Sequence, residues 1–467
     1  MENDLSDFEV KPLQRVLGSF GVVFLTLSVL SPGASVLVAG ADVLHTAGTG
    51  APLAFLLGGV LTLIFTFSQA ELGSAFPLAG GDYAIIGNSL GPRAGFMQFG
   101  ITLVGSLIFL AICSTGVALY MRALWPALPY GGTAVAALAL AASLAILNIR
   151  TGAMFTGTFL MVELFALGLL TVLGFGHATQ RIPQIVAHPL GFASGSAVPL
   201  SLSALALAIA AASWATSGAG QAVYFSEEMH EPKSIGRLVI VIVAITVFCE
   251  LLPVLGVVVG TDHLSTVLTS ESPFNAFLAE RASPMFVTIV TIGVIAALFN
   301  ACVSVLSCYG RFIYSSGRDR IWPGSLNRLF STVHSRFGSP WIATLSLAFA
   351  AAACCFISLP LLIILASGFQ IVTWVLLNLA VIAGRQRGLT GAPGMFRTPL
   401  YPLMNILSLA ASAALAVSAW EDVSSGRPGM ISVIATAALS LAYYELVLIR
   451  RPGGWTMFSG VRTAGAS

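Results

Sequence analysis

Apolar runs of about 20 residues follow one another along the whole chain, separated by short stretches rich in Gly, Pro and charge. Twelve are counted, near 17–40, 50–73, 94–121, 131–149, 152–176, 198–225, 235–260, 284–316, 340–358, 360–384, 400–420 and 430–450. A helix of about 20 residues spans the roughly 30 Å hydrocarbon core of a bilayer. The pattern therefore predicts an all-α integral membrane protein with twelve transmembrane helices. The first run is too long for a cleavable leader and lacks a small-residue cleavage site. Two runs are interrupted at matching points, the first at Ser31-Pro32-Gly33 and the sixth at Thr216-Ser217-Gly218. Pro lacks an amide donor and Gly weakens a helix, so each break frees backbone groups at mid-depth. Such backbone is tolerated only where it is buried in protein or lines a cavity. A pair of breaks in corresponding halves points to a transporter's binding site.

The breaks also set the organisation. Helices 1–5 (residues 17–176) and 6–10 (198–384) read as two repeats, each opening on a discontinuous helix. Five spans per repeat is an odd number, so the second repeat is expected to run inverted. Helices 11–12 (400–450) stand outside the pair, between an N-terminal tail (1–16) and a C-terminal tail (451–467).

Composition agrees: 57% of the residues are hydrophobic and only 9% charged, against roughly 25% charged in soluble domains. With the N-terminus placed in the cytoplasm, 17 of the 21 Lys and Arg fall on that side. Only Arg122, Arg181, Arg281 and Arg427 lie opposite. The positive-inside rule thus predicts a multi-pass plasma-membrane protein with both termini cytoplasmic. The net charge of +2 reflects this loop bias and implies no nucleic-acid partner; the partners expected are lipid, a small solute and a coupling ion. All six cysteines fall within predicted spans without CxxC or Cys/His spacing, so no metal or other cofactor is expected. No Walker motif is present.

Three loop segments carry a resemblance. Pro77-Leu-Ala-Gly80-Gly81-Asp82-Tyr83 follows span 2, Glu227-Glu228-Met-His-Glu-Pro232 with Arg237 closes span 6, and Gly317-Arg318-Asp319-Arg320-Ile-Trp-Pro323 closes span 8. In this order they resemble the signatures of the amino acid–polyamine–organocation (APC) transporter superfamily. The resemblance covers spans 1–10 and implies the five-plus-five inverted repeat of the leucine-transporter fold. It implies a secondary transporter of amino acids, coupled to protons or exchanging. Amines such as ethanolamine or polyamines are the alternative substrates. No polar catalytic constellation suggests an enzyme; a non-transporting membrane sensor of the same fold is the reading from another class.

The candidate site follows from the breaks. In span 1, Ser31, Gly33, Ala34 and Ser35 are the expected partners of a substrate carboxylate, because the start of a half-helix carries partial positive charge. The family usually shows a Gly-x-Gly stretch here, where this chain has Pro32. In span 6, Trp214, Ala215, Thr216, Ser217, Gly218 and Gly220 are expected to receive the ammonium end. Trp214 matches an aromatic that covers the substrate in the arginine/agmatine exchanger branch; packing is its other reading. Many relatives carry Glu where this chain has Gly220. With no acid in either break, a zwitterionic α-amino acid is the favoured substrate.

Intramembrane carboxylates are functional candidates by default. Glu163, mid-span 5, matches the place where some proton-coupled relatives carry a Lys. Glu250 lies mid-span 7, three residues before Pro253. Both are candidates for proton coupling, whereas Glu71 and Glu445, at span ends, are expected to snorkel. Asn300, Ser304 and Ser307 share one face of span 8; Ser304 and Ser307 are the candidate sodium site, and helix-to-helix packing is their other reading. The fold further implies Ser106, Cys113, Ser114 and Ser367 as cavity walls.

Overall fold

The computed structural model describes residues 13–147, 149–193, 196–270, 272–423 and 426–451, with 455 and 457. Most of the two predicted tails, with Lys11 and Arg462, lies outside the described residues. The first predicted span is built from α1 (Ser19–Leu30), α2 (Pro32–Ala34), a wider π-type turn over Ser35–Ala39, and α3 (Gly40–Ala47). The chain reverses at Gly48–Gly50 into α4 (Ala51–Ala75), which stops before Pro77. Next come α5 (Asp82–Leu90), α6 (Pro92–Leu124), α7 (Tyr130–Ala145), α8 (Ile149–Gly176) and the short α9 (Ile182–Ala187). A hairpin, β1 (Leu190–Ala193) paired antiparallel with β2 (Ser196–Pro199), precedes α10 (Leu202–Ala215). A 3₁₀ stretch over Ala219–Glu228 leads to α11 (Ile235–Gly260), α12 (Leu264–Leu268), α13 (Pro273–Arg281) and α14 (Pro284–Arg318). The chain closes with α15 (Gly324–Phe330), α16 (Trp341–Cys354), α17 (Leu359–Gln386), α18 (Leu403–Glu421) and α19 (Gly426–Tyr443).

Each predicted apolar run contains a helix. Among the described residues, nine helical stretches are long and apolar enough to cross a bilayer, the first being the 57-residue Ser19–Ala75 with its internal reversal. α7 and α16 are apolar but shorter. The hairpin and an isolated bridge between Leu17 and Met229 are the departures from an all-α chain among the described residues; the hairpin packs under the α3–α4 turn, where Leu190 N–H donates to Thr49 Oγ1 (2.8 Å). Prolines set several helix starts. Pro92, Pro284 and Pro360 occupy first-turn positions, where a missing amide costs nothing.

Large apolar side chains point outward on many helices, including Phe20, Met154, Phe165, Leu202, Phe349 and Leu439. This is the arrangement of helices solvated by lipid. Inside, polar side chains join helices. Ser68 on α4, Asn378 on α17, and Asn405 and Ser408 on α18 form one buried hydrogen-bonded group, as expected where small polar residues hold helices together in lipid.

Glu71 corrects an expectation. It does not snorkel; it is fully buried, and both of its oxygens accept from Arg385 of α17 (2.7 and 2.8 Å). The pairing residue is too distant in sequence for a local pattern to reveal. Glu445 does lie at the surface, paired with Arg93 (2.5 Å).

Candidate functional site

A residue before proline is pushed out of the helical region. Ser31 accordingly takes φ 46°, ψ 78°, which ends α1, and Pro32 starts the next helical segment. The first break is thus one residue wide rather than unwound over Ser31–Gly33. The second is wider. α10 ends at Ala215, and Gly218 adopts φ 112°, where a side chain is strained. A Cβ on Gly218 would lie 2.7 Å from Leu30 Cδ2, so the breaks touch. Ser35 Oγ bridges them by donating to Ala215 O (3.1 Å).

Many of the backbone groups freed by the breaks are already engaged. Gly33 N–H donates to Glu163 Oε1 (2.6 Å), and Ser31 Oγ donates to the same oxygen (3.0 Å). Ala34 N–H donates to Ser31 Oγ (3.4 Å), and Ser35 N–H to Ser31 O (2.9 Å). The acceptor at this half-helix start is therefore the protein's own Glu163. At the second break, Thr62 Oγ1 donates to Ser213 O (2.9 Å) and meets Thr216 Oγ1 at 2.9 Å. Ser217 donates to Trp214 O through both its amide (3.1 Å) and its hydroxyl (2.7 Å).

Beside the breaks lies an inner cavity of about 110 Å³. Ser35, Trp214, Ala215, Ser217 and Gly218 line it, joined by Gln69, Asp82, Gln98, Ser106, Gln221, Tyr309 and Gln370. Ser31, Gly33, Ala34, Thr216 and Gly220 do not. A Cβ on Gly220 would run into the Gln69 amide, so Gln69 fills the space that a side chain at 220 would need. A vestibule of about 750 Å³ opens beyond, lined among others by Asp42, His45, Tyr120, Ser367 and Asp422. Trp214, Gln370 and Trp374 line both spaces and form the partition between them. Phe65 stacks on Trp374 with ring centroids 3.9 Å apart.

Glu163 and Glu250 are buried on α8 and α11, which pack against each other. Neither oxygen of Glu250 has a hydrogen bond at normal geometry, and Pro253 stays within α11. Ser307 Oγ donates to Val303 O of its own helix (3.0 Å). Ser304 Oγ and both polar atoms of Asn300 are buried and unpartnered. The face carrying them follows Ala297, whose carbonyl accepts from Ser31 Oγ (3.4 Å). Cys113 and Ser114 sit outside both linings, with Ser114 against Cys302 (3.6 Å).

The end of the bundle opposite the vestibule is closed by the three loop signatures, which converge. Glu227 Oε1 accepts from Ala79 N–H (2.9 Å), and Glu227 pairs with Arg318 (3.0 Å). Tyr83 OH donates to Asp319 Oδ2 (2.7 Å). Glu228 pairs with Arg311, both buried. Leu17 N–H donates to Glu228 O (2.9 Å), and Arg451 contacts Arg320 O and Ile321 O, so both ends of the described chain meet at this face.

The amino acid permease family profile matches residues 17–443. The chain belongs to this family. Its members are transporters rather than enzymes, and this chain is a multi-pass membrane protein of the APC superfamily. It is 22% identical over 418 residues to the methylthioribose transporter of Bacillus subtilis, covering 85% of this chain and 87% of that protein. It is 25% identical over 305 residues to Asc-type amino acid transporter 1 of Mus musculus, covering 63% and 56%. An uncharacterized transporter of Mycobacterium tuberculosis is 24% identical over 340 residues, 71% and 72% of the two chains.

Within this permease, sequence reasoning missed the polar half of the cavity. Gln69, Gln98, Gln370 and Tyr309 carried no motif. Asp82 lay inside the first loop signature but was read only as part of it. It opens α5 and accepts from Gln69 Nε2 (2.6 Å) and Tyr224 OH (3.3 Å). Burial pushes its carboxyl up to about 6, and those hydrogen bonds pull the other way.

Proposed function

We propose that this permease moves amino acids or related small solutes across the plasma membrane by alternating access, using Glu163 to couple transport to protons. The observation that carries this is the Glu163 carboxyl group seated on the first break, which the Ser35 hydroxyl joins to the second. Protonating Glu163 would loosen its hold on Gly33 and Ser31 and leave the half-helix start without its anion, so the break geometry and the charge state of Glu163 are linked. Ser35, bonded across to Ala215, ties that change to the cavity. Glu250 is the second carboxyl through which a proton could pass.

The same reading places twelve crossings in the membrane, with inverted repeats over 17–176 and 198–384, helices 11–12 over 400–450, and both termini cytoplasmic. Both described chain ends at one face support an even number of crossings. The distribution of Lys and Arg supports the orientation. Sodium at Ser304 is the alternative coupling ion, favoured by the unpartnered hydroxyl there.

The test is uptake into proteoliposomes of a panel of amino acids, amines and methylthioribose, under imposed proton or sodium gradients. Glu163→Gln keeps an acceptor for Gly33 N–H but cannot exchange a proton. It should bind solute, sustain counterflow, and lose most accumulation driven by a pH gradient. Full pH-driven accumulation in Glu163→Gln would make Glu163 structural.

A further inference from the structure

The residues lining the route through the molecule carry charge of one sign. Asp82 is the single formal charge in the lining of the inner cavity, and the vestibule adds Asp42 and Asp422. His45 is present, but neither lining contains Lys or Arg. Asp82 takes part in none of the ion pairs among the described residues; its two partners are the neutral donors Gln69 and Tyr224.

A second observation concerns hydrogen-bond sense. Two buried polar atoms in the inner lining lack partners, Oε1 of Gln98 and Oε1 of Gln221. Gln98 is only 1% exposed, and its Nε2 is fixed by Thr102 (3.1 Å) and Thr373 (3.0 Å). Gln221 Nε2 donates to Tyr309 OH (3.1 Å). In both cases the amide nitrogen is engaged and the carbonyl oxygen is left. The Asp82 carboxylate, held only by neutral donors, and these two unpartnered carbonyl oxygens are all acceptors on residues that line one small cavity. Ammonium and guanidinium groups are donors without acceptors. A substrate carboxylate, by contrast, finds the amides of the first break already engaged.

We propose that the solute carried is cationic, an amino acid or amine bearing a side-chain ammonium or guanidinium, and that this group docks on Asp82, Gln98 and Gln221. The proposal rests on the transporter reading above and narrows its substrate class. It departs from the zwitterion favoured by the breaks alone, because the acid comes from α5 rather than from either break. Trp214 at the partition supplies an aromatic ring along the path of the same cation.

The experiment compares isosteric pairs on the purified full-length protein and in proteoliposomes: lysine with norleucine, arginine with citrulline, and putrescine and agmatine as amines without a carboxylate. Ligand-induced thermal shift and competition uptake should favour the cationic member of each pair by at least tenfold. Asp82→Asn should erase that preference, and Asp82→Glu should restore part of it. A purely structural role for Asp82 would instead weaken both members alike. Cation binding should also fall as pH drops through about 6, where Asp82 takes up a proton. The facing Tyr224, Tyr309 and Cys308 ordinarily titrate well above that range. Uptake of norleucine or citrulline with Asp82→Asn unaffected would overturn the cation proposal and leave the transporter reading standing. No binding or uptake of any solute, methylthioribose included, would overturn both.

Discussion

At the scale of single residues, the chemistry that is local was legible and the chemistry that depends on a distant partner was not. Pro32 and Gly218 act on their own backbone, so the breaks could be placed from sequence. Glu163 could be nominated as an intramembrane acid, but its bond to Gly33 depends on how α8 packs against α2. Glu71 failed for the same reason, because Arg385 lies on α17. That pair yields a prediction. Arg385→Ala leaves a fully buried carboxylate without its cation and should cost about 3–5 kcal/mol. Glu71→Gln, which keeps an acceptor for Thr398 N–H (2.7 Å), should cost less. Unfolding in detergent measures both, and equal costs would show that burial of the charge is not what matters. Trp214 yields another. It lines both the inner cavity and the vestibule, so Trp214→Ala should reduce uptake more than tenfold while lowering the melting temperature little, and Trp214→Phe should keep part of the activity. Parallel losses of stability and uptake would make Trp214 a packing residue.

At the scale of elements, every apolar run contained a helix, because helix length in lipid is written directly into hydrophobicity. The hairpin over 190–199 and the short helices α12, α13 and α15 were not foreseen. They lie in connections, where no periodic apolar face announces them. The breaks differ in width for a physical reason. One residue before a proline suffices to end α1, whereas α10 ends on small polar residues and needs Gly218 at φ 112° to turn into the 3₁₀ stretch. Gly218→Ala meets both the strained φ and Leu30 of the neighbouring break. Strain of this kind costs about 1–3 kcal/mol. The larger effect should be on transport, since the two breaks would be pushed apart. Uptake should fall at least tenfold with the variant still folded by thermal unfolding. Normal uptake would mean that contact between the breaks is dispensable.

At the scale of the whole molecule, the three loop signatures had been useful only as a family resemblance, and the structure gives them a shared physical role. Residues from the α4–α5 connection, the end of the 3₁₀ stretch and the end of α14 lock into one ion-paired group at the face holding the chain ends, while the opposite face opens into the vestibule. A molecule closed at one end and open at the other must break this lock to release solute on the closed side. The Glu227–Arg318 pair is its most testable part, because it is only partly buried (18% and 12% exposed) and joins two separate elements, the 3₁₀ stretch and the end of α14. Arg318→Glu places two like charges together and should open that end. In a background retaining Cys308 as the sole cysteine, a buried position facing Gln221 O, maleimide labelling should speed up several-fold. Net uptake should fall because the closed state is no longer held. Adding Glu227→Arg restores opposite charges with their order swapped, and should return both labelling and uptake toward the starting values. Rescue by the swap separates an electrostatic lock from simple misfolding, which a second charge reversal would deepen. Unchanged labelling in Arg318→Glu would show that the closure is held by the buried Glu228–Arg311 pair and the apolar packing around it, without help from Glu227.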